Sequence, residues 1–97
     1  MQTRCALGAE LTIYTVAETR ERLLAALQAD AAGDADLVID ASAVSDVDGA
    51  GVQLLLSLSQ ALAGRQRRLA LAEPAAPLRA ACSRLGLDHL LVTEGDA

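Results

Sequence analysis

Short apolar runs alternate with longer amphipathic stretches along this chain. The residues Leu11–Val16 alternate between apolar and polar side chains and are rich in β-branched types, which predicts a strand. A continuous apolar run within residues 36–42 predicts a strand that is covered on both faces, and residues 68–73 predict another strand. We expect the segment Thr3–Leu7 to pair with Leu11–Val16 as a short hairpin.

Three stretches beside these strands have the apolar spacing of a helix. In residues 17–33 the leucines share one face, and Gly33 stands where a glycine commonly ends a helix. Residues 52–63 carry leucines around most of the circumference, which predicts a helix that is covered on most sides. Residues 74–86 begin with proline and end in glycine, which is typical of a helix. We expect the apolar stretch 87–92 to form a short strand or a helical turn.

The alternation of strands and helices predicts an α/β fold with a mostly parallel or mixed sheet and right-handed crossovers. A chain of 97 residues is long enough for one domain with one core. Its content of 53% hydrophobic and 22% charged residues favours a folded domain over a disordered chain. We expect a single domain over residues 1–97, with a possible edge strand in residues 1–10 and a frayed tail in residues 93–97.

Charge and composition restrict the partners. The formal net charge is -5 and Tyr14 is the only aromatic residue, which argues against a nucleic-acid surface. No apolar run approaches the ~20 residues that span a bilayer, so we expect no direct membrane insertion. The first ten residues have no signal-peptide pattern, and we expect a cytoplasmic protein. The basic cluster Gly64–Arg68 is interpreted as a solvated helix end.

The cysteines and the histidine indicate no cofactor. Cys5 and Cys82 lie far apart in sequence, so we expect two reduced thiols, with Cys82 in the core. His89 is the only histidine and has no cysteine beside it, which makes a zinc site improbable.

The turn within Val44–Leu56, "VSDVDGAGVQLLL", raises three chemical possibilities. Its "GAG" is similar to the start of a dinucleotide-binding GxGxxG motif, but Leu54 stands in place of the third glycine. A P-loop requires a lysine, and the chain has none. Asp46 and Asp48 are a carboxylate pair, but their spacing directs them apart and no His or Cys lies near in sequence. We therefore expect Asp48 to cap the following helix rather than to catalyse a reaction.

The stretch "DLVIDASAVSDVDGAGVQLLLSLSQALAGRQRRLALAEP", followed by "LRAACSRLGLDHLL", resembles the STAS domain of sulfate transporters and anti-sigma factor antagonists. The resemblance runs from about Leu11 to Leu91. It rests on a strand ending in Asp40, then Asp48 and Gly51 at the start of an amphipathic helix, then a further strand and a helix ending in "LGL". It implies a small sheet of four or five mixed strands with helices packed mainly on one face.

In anti-sigma factor antagonists the residue after the aspartate is a serine or threonine that a partner kinase phosphorylates. This chain has Gly49 there and Ala50 next, neither of which has a hydroxyl group. The resemblance therefore implies no phosphorylation at Gly49, and Ser45 is the alternative, although a solvent-exposed loop serine is its simpler interpretation. The resemblance implies a partner-binding loop of Ser45, Asp46, Val47, Asp48, Gly49, Ala50 and Gly51.

The resemblance implies a non-enzymatic regulatory module that acts by protein–protein contact. Three settings remain open: an anti-sigma factor antagonist that binds an anti-sigma kinase, a small cytoplasmic subunit of a lipid-transporting ABC system, or an accessory protein of a chemotaxis kinase complex. Only the first requires the missing phosphate acceptor. A different class, a nucleotide or anion binder at the helix N-terminus after Gly49, is disfavoured by the negative charge of Asp46 and Asp48.

Overall fold

The structure, a computed structural model, describes residues 2–29 and 36–87. In chain order, its strands and helices are β1 (Gln2–Ala6), β2 (Glu10–Leu11), α1 (Val16–Gln28), β3 (Asp36–Asp40), β4 (Asp46–Val47), α2 (Gly49–Ala63), β5 (Leu69–Ala72) and α3 (Ala76–Arg84). The α/β class predicted from the alternation of elements is confirmed.

The strands form two small parallel sheets. The larger sheet has the order β1-β3-β5, and Cys5 and Leu71 both lie in register with Ile39 of the central strand. The smaller sheet pairs β2 with β4, with Leu11 opposite Val47. Within the described residues the larger sheet therefore has three strands, fewer than the four or five expected.

The core lies between the larger sheet and the three helices. It includes Leu37, Ile39 and Leu71 from the strands, and these side chains are fully buried. The helices contribute further buried leucines to the same cluster, among them Leu23 and Leu55. The other members of the core are Leu7, Leu11, Ala41, Val44, Leu54, Leu58, Leu62, Leu69, Leu78 and Cys82. Val38 points to the opposite face of β3 and is 2% exposed, so the prediction of a strand covered on both faces is confirmed.

The prediction of a strand over Leu11–Val16 is wrong beyond its first residue. The chain turns at Thr12, whose carbonyl oxygen accepts hydrogen bonds from Thr15 N and Val16 N, both at 2.9 Å. The Thr12 hydroxyl also donates to the Glu10 carboxylate. These local bonds replace the ladder that a strand would need.

The predicted hairpin between Thr3–Leu7 and Leu11–Val16 is also wrong. β1 pairs in parallel with β3 instead, with Gln2 opposite Asp36. β1 is an edge strand of the sheet that the described residues form.

The remaining boundaries differ by a few residues from those predicted. α2 begins at Gly49, as the predicted cap at Asp48 requires and three residues before the leucine pattern at Val52, and α1 ends at Gln28. Gly86 does end the third helix, with a φ of 72° and a hydrogen bond from Leu87 N to Cys82 O. The predictions for Gly33, His89 and residues 88–97 lie outside the described residues.

The basic cluster Gly64–Arg68 is only in part the solvated helix end that was predicted. Arg65 and Arg68 are exposed, but Arg67 is 4% exposed. The cause is the backbone: Gln66 has a φ of 61°, and Arg67 N donates to Leu62 O at 2.9 Å, which turns Arg67 inward.

Candidate docking site

The turn that the sequence singled out follows β3, contains β4 and leads directly into α2. Ser45 N and Asp46 N both donate to Ala9 O, at 2.8 and 3.0 Å, so the turn is attached to the segment before β2. Asp48 N donates to Leu11 O at 3.3 Å, and α2 begins at the next residue. The turn is thus fixed on two sides by backbone bonds to residues far away in sequence.

Asp48 joins two loops through its carboxylate. One oxygen, Oδ1, accepts from Gly51 N at 3.1 Å, which confirms the predicted helix cap. The other, Oδ2, accepts from Ile13 N at 3.0 Å, across 35 positions of the sequence. The Ile13 amide has the largest effect and lowers the pKa of the Asp48 carboxyl below its usual value of 3.8. Burial opposes this as the second largest effect, and the amides of Gly51, Ala50 and Asp48 itself lower the pKa further.

Gly51 allows α2 to approach Leu11 closely. A Cβ atom at this position would collide with the Leu11 carbonyl oxygen and would lie 2.7 Å from Leu11 Cγ. Gly51 is buried and Leu11 is fully buried, so this contact is part of the packing beneath the turn. The helix therefore requires a glycine at its third residue.

Gly49, where the resemblance to anti-sigma factor antagonists implies a serine or threonine, has different surroundings. It is exposed, and a Cβ atom there would have no atom within 4 Å. Ala50 beside it is partly buried. The surface at the start of α2 is open but carries no phosphate acceptor at either position.

The serines near the turn are occupied by local hydrogen bonds. Ser42 donates to Asp40 through both its backbone N and its Oγ, and these two bonds, in that order, lower the pKa of Asp40. The Ser45 hydroxyl is exposed and donates to Ala9 O at 3.3 Å. Ser45 precedes β4 and so does not stand at the start of α2, unlike the phosphorylated residue of the family pattern.

Two apolar side chains beside the turn were missed by the sequence analysis. Ile13 is 60% exposed and Tyr14 is 89% exposed, and both belong to the turn that Asp48 binds. The incorrect strand prediction gave these residues no role, although Tyr14 as the only aromatic residue was a usable indication. Together with residues 45–50 they form what we call the docking surface. Gly51, which the resemblance also placed in the partner-binding loop, is buried beneath this surface against Leu11.

The docking surface does not have the parts of a catalytic centre. Both oxygens of Asp48 accept backbone hydrogen bonds, and Asp46 is exposed on the strand before it. Within residues 2–29 and 36–87, no group of three or more His, Cys, Asp or Glu side chains is placed to hold a metal ion. The arrangement offers a fixed backbone, exposed apolar side chains and no nucleophile with an adjacent base.

Comparison with known proteins identifies the family. The family model described as "Mlab, STAS domain" matches residues 2–93, nearly the whole chain. The chain therefore belongs to the STAS family, and it is a regulatory module of the STAS type that acts through protein–protein interaction. A comparison with curated proteins found no match. In the part of the chain that the structure describes, no helix combines the length and apolar character needed to cross a membrane.

Proposed function

We propose that this protein is a non-enzymatic module that binds a protein partner through the docking surface and does so without a phosphorylation switch at Gly49. The observation that carries the proposal is the exposure of Ile13 and Tyr14 beside the start of α2. Large apolar side chains that are exposed to solvent on an ordered turn favour contact with another protein. Tyrosine is among the residues most often found as binding hot spots in protein interfaces.

The rigidity of the docking surface supports binding. The Asp48 carboxylate holds the Ile13 backbone, and Gly51 packs directly on Leu11, so both loops keep one arrangement. A surface that is ordered before the partner arrives loses less conformational entropy when it binds.

The absence of a hydroxyl group at Gly49 and Ala50 supports constitutive binding. A phosphate at the start of α2 would add negative charge beside Asp48 and change the partner's contact. Without an acceptor there, control of the complex is expected to come from the amount of either protein.

The partner is best sought among settings that need no phosphate. The matched family carries the name Mlab, and among the three settings this favours the small subunit of a lipid-transporting ABC system. A chemotaxis kinase complex is the second candidate, and an anti-sigma kinase fits least because its antagonist relies on the missing hydroxyl.

An affinity pull-down from the native host at endogenous level tests the proposal. Wild-type protein is compared with Tyr14→Ala and with Leu85→Ala, which removes a different exposed apolar side chain, 59% exposed, at the end of α3. We expect Tyr14→Ala to lower the recovery of the specific partner roughly tenfold, because loss of a central tyrosine typically costs that much affinity. Leu85→Ala is expected to recover the partner as the wild type does.

The identity of the partner then separates the three settings. An ABC permease or ATPase assigns the chain to a transporter, and a chemotaxis kinase or an anti-sigma kinase assigns it to signalling. Full recovery of the partner with Tyr14→Ala and with Ile13→Ser would contradict the proposal.

A further inference from the structure

A shallow groove of about 280 Å³ runs between α1 and α2, next to the docking surface. Val16, Ala17, Ala50 and Leu54 give it apolar walls, and Val16 follows Tyr14 by only two residues. The side chain of Arg20 also lines the groove. Ala50 belongs both to the groove and to the docking surface, so the two are continuous at the start of α2.

Arg20 has no carboxylate to pair with on its own helix. Side chains that meet on a helix surface are three or four positions apart, and for Arg20 these are Val16, Ala17, Leu23 and Leu24. In the described residues no hydrogen bond or ion pair involves its guanidinium group. The neighbouring Arg22, in contrast, donates to Ala6 O at 3.5 Å.

The acidic side chains of α1 face a different part of the surface. Glu18 and Glu21, with Glu10, line a second cavity on the side of Arg22. The nearest acidic residue of α2 is its cap, Asp48, whose two oxygens accept from Gly51 N and Ile13 N. Arg20 is thus an exposed cation at the wall of an apolar groove.

We infer that this groove receives an apolar segment of the protein partner in which an Asp or Glu side chain pairs with Arg20. The inference rests on the proposed function, and it specifies the chemistry of the partner. An apolar segment would cover Val16, Ala17 and Leu54, while its carboxylate would give Arg20 the ion pair that this chain does not supply.

Site-specific photo-crosslinking in the native host tests this inference. The photo-reactive amino acid p-benzoylphenylalanine replaces Gln53, which lines the groove, and in a second strain it replaces Tyr14 on the docking surface. Mass spectrometry identifies the cross-linked peptide. We expect the Gln53 probe to capture an apolar peptide that contains Asp or Glu.

Charge variants of Arg20 complete the test. Arg20→Glu is expected to lower the cross-link yield at the Gln53 position roughly tenfold or more, because it replaces an attraction with a repulsion. Arg20→Lys keeps the charge and most of the yield. Arg65→Glu, which makes the same change of net charge on an exposed residue after α2, leaves the yield unchanged.

The outcomes separate this inference from the proposed function. A cross-link from the probe at position 14 without one from the probe at position 53 overturns the inference about the groove and leaves the proposed role of the docking surface standing. A captured peptide without Asp or Glu, a cross-link to a second copy of this chain, or a yield unaffected by Arg20→Glu also overturns it. Failure of both probes to cross-link to a protein overturns the inference and the proposed function together.

Discussion

Gly49 and Gly51 lie two residues apart in the first turn of α2, and they have opposite surroundings. Gly51 faces the Leu11 backbone, whereas Gly49 faces open space. The hydrophobic pattern of the sequence does not distinguish the two glycines. Their surroundings differ because Leu11 of β2, which is far away in sequence, packs against Gly51 and not against Gly49. The role of Gly51 became apparent only from its contact.

Replacement of each glycine by alanine tests this difference. Gly51→Ala is expected to lower the free energy of unfolding by about 1–3 kcal/mol, since its methyl group forces α2 and Leu11 apart. Gly49→Ala, the matched control, is expected to keep or slightly raise it, and Gly49→Ser is expected to fold normally for the same reason. Urea denaturation gives the values. Equal loss in both alanine variants would contradict the close approach at Gly51.

Asp48 was predicted as a helix cap, and its bond to Gly51 N confirms that role. Its second bond, to Ile13 N, was outside the reach of sequence reasoning. A capping residue and its helix are neighbours in the chain, whereas the contact with Ile13 depends on the pairing of β2 with β4, which places the residues after these two strands side by side.

The ionisation of Asp48 should make the free energy of unfolding depend on pH. Its pKa is lowered in the folded protein, so its contribution is fully present above the usual value of 3.8 and is lost as the pH falls through the lower folded pKa. Wild type is therefore expected to be more stable than Asp48→Asn at pH 7, and the difference shrinks below pH 3.8. Urea unfolding at a series of pH values measures it.

The control for this experiment is Asp46→Asn, which changes an exposed carboxylate two residues away. It should leave the free energy of unfolding at pH 7 close to that of wild type. A difference between wild type and Asp48→Asn that persists unchanged at the lowest pH would assign the effect to shape rather than to charge.

At the scale of elements, the strands and helices with an unambiguous pattern were predicted well. β3, β5, α2 and α3 lie within a few residues of their predicted positions. The segment Leu11–Val16 misled because its β-branched residues have strand propensity, while its threonines form the local hydrogen bonds of a turn. Propensity alone did not decide between these two outcomes.

The end of α2 illustrates the same limit. The helix ends at Ala63 with Gly64 as its capping residue, close to the predicted end of the helix at residue 63. The left-handed residue that follows is not this glycine, whose φ is -64°, but Gln66, with a φ of 61°. Gln66 N donates to Ala63 O and Arg67 N donates to Leu62 O, which is a common hydrogen-bond pattern at the end of a helix. The left-handed residue in this pattern is usually a glycine, but here it is a glutamine.

Gln66→Gly is expected to raise the free energy of unfolding by about 0.5–1 kcal/mol. Glycine removes the steric cost of a left-handed side chain, and the gain is reduced by the greater freedom of glycine in the unfolded chain. Arg65→Gly is the control and is expected to lower stability, because Arg65 has no positive φ. Thermal and urea unfolding measure both. A loss in Gln66→Gly would show that the glutamine side chain stabilises the turn.

At the scale of the whole molecule, the α/β class followed from the order of strands and helices, while the pairing did not. Three parallel strands separated by helices are consistent with several orders in the sheet. The division into two sheets depends on the short pair of β2 and β4, which is only two residues long on each strand. Such a pair leaves almost no trace in a hydrophobic pattern.

The two cysteines offer a probe of how the whole domain opens. Cys82 is fully buried in α3 and Cys5 is partly buried in β1. We expect a thiol reagent to label Cys82 on the order of a thousandfold more slowly than an exposed thiol, because α3 must first leave the core. Labelling of Cys82 should accelerate with denaturant as the domain unfolds. A Cys82 rate similar to that of Cys5 in buffer would show that α3 detaches on its own.

The parallel register of the larger sheet has a consequence for synthesis on the ribosome. β1 is made first, yet its only partner in the described sheet is β3, and β3 in turn pairs with β5. In the nascent chain, β1 therefore remains unpaired until β3 has emerged as far as Asp40. One edge of β3, which includes the apolar run Leu37–Ile39, then remains unpaired until β5 has emerged as far as Ala72. A translational pause between these two points would lengthen the exposure of that edge to other nascent chains and to chaperones.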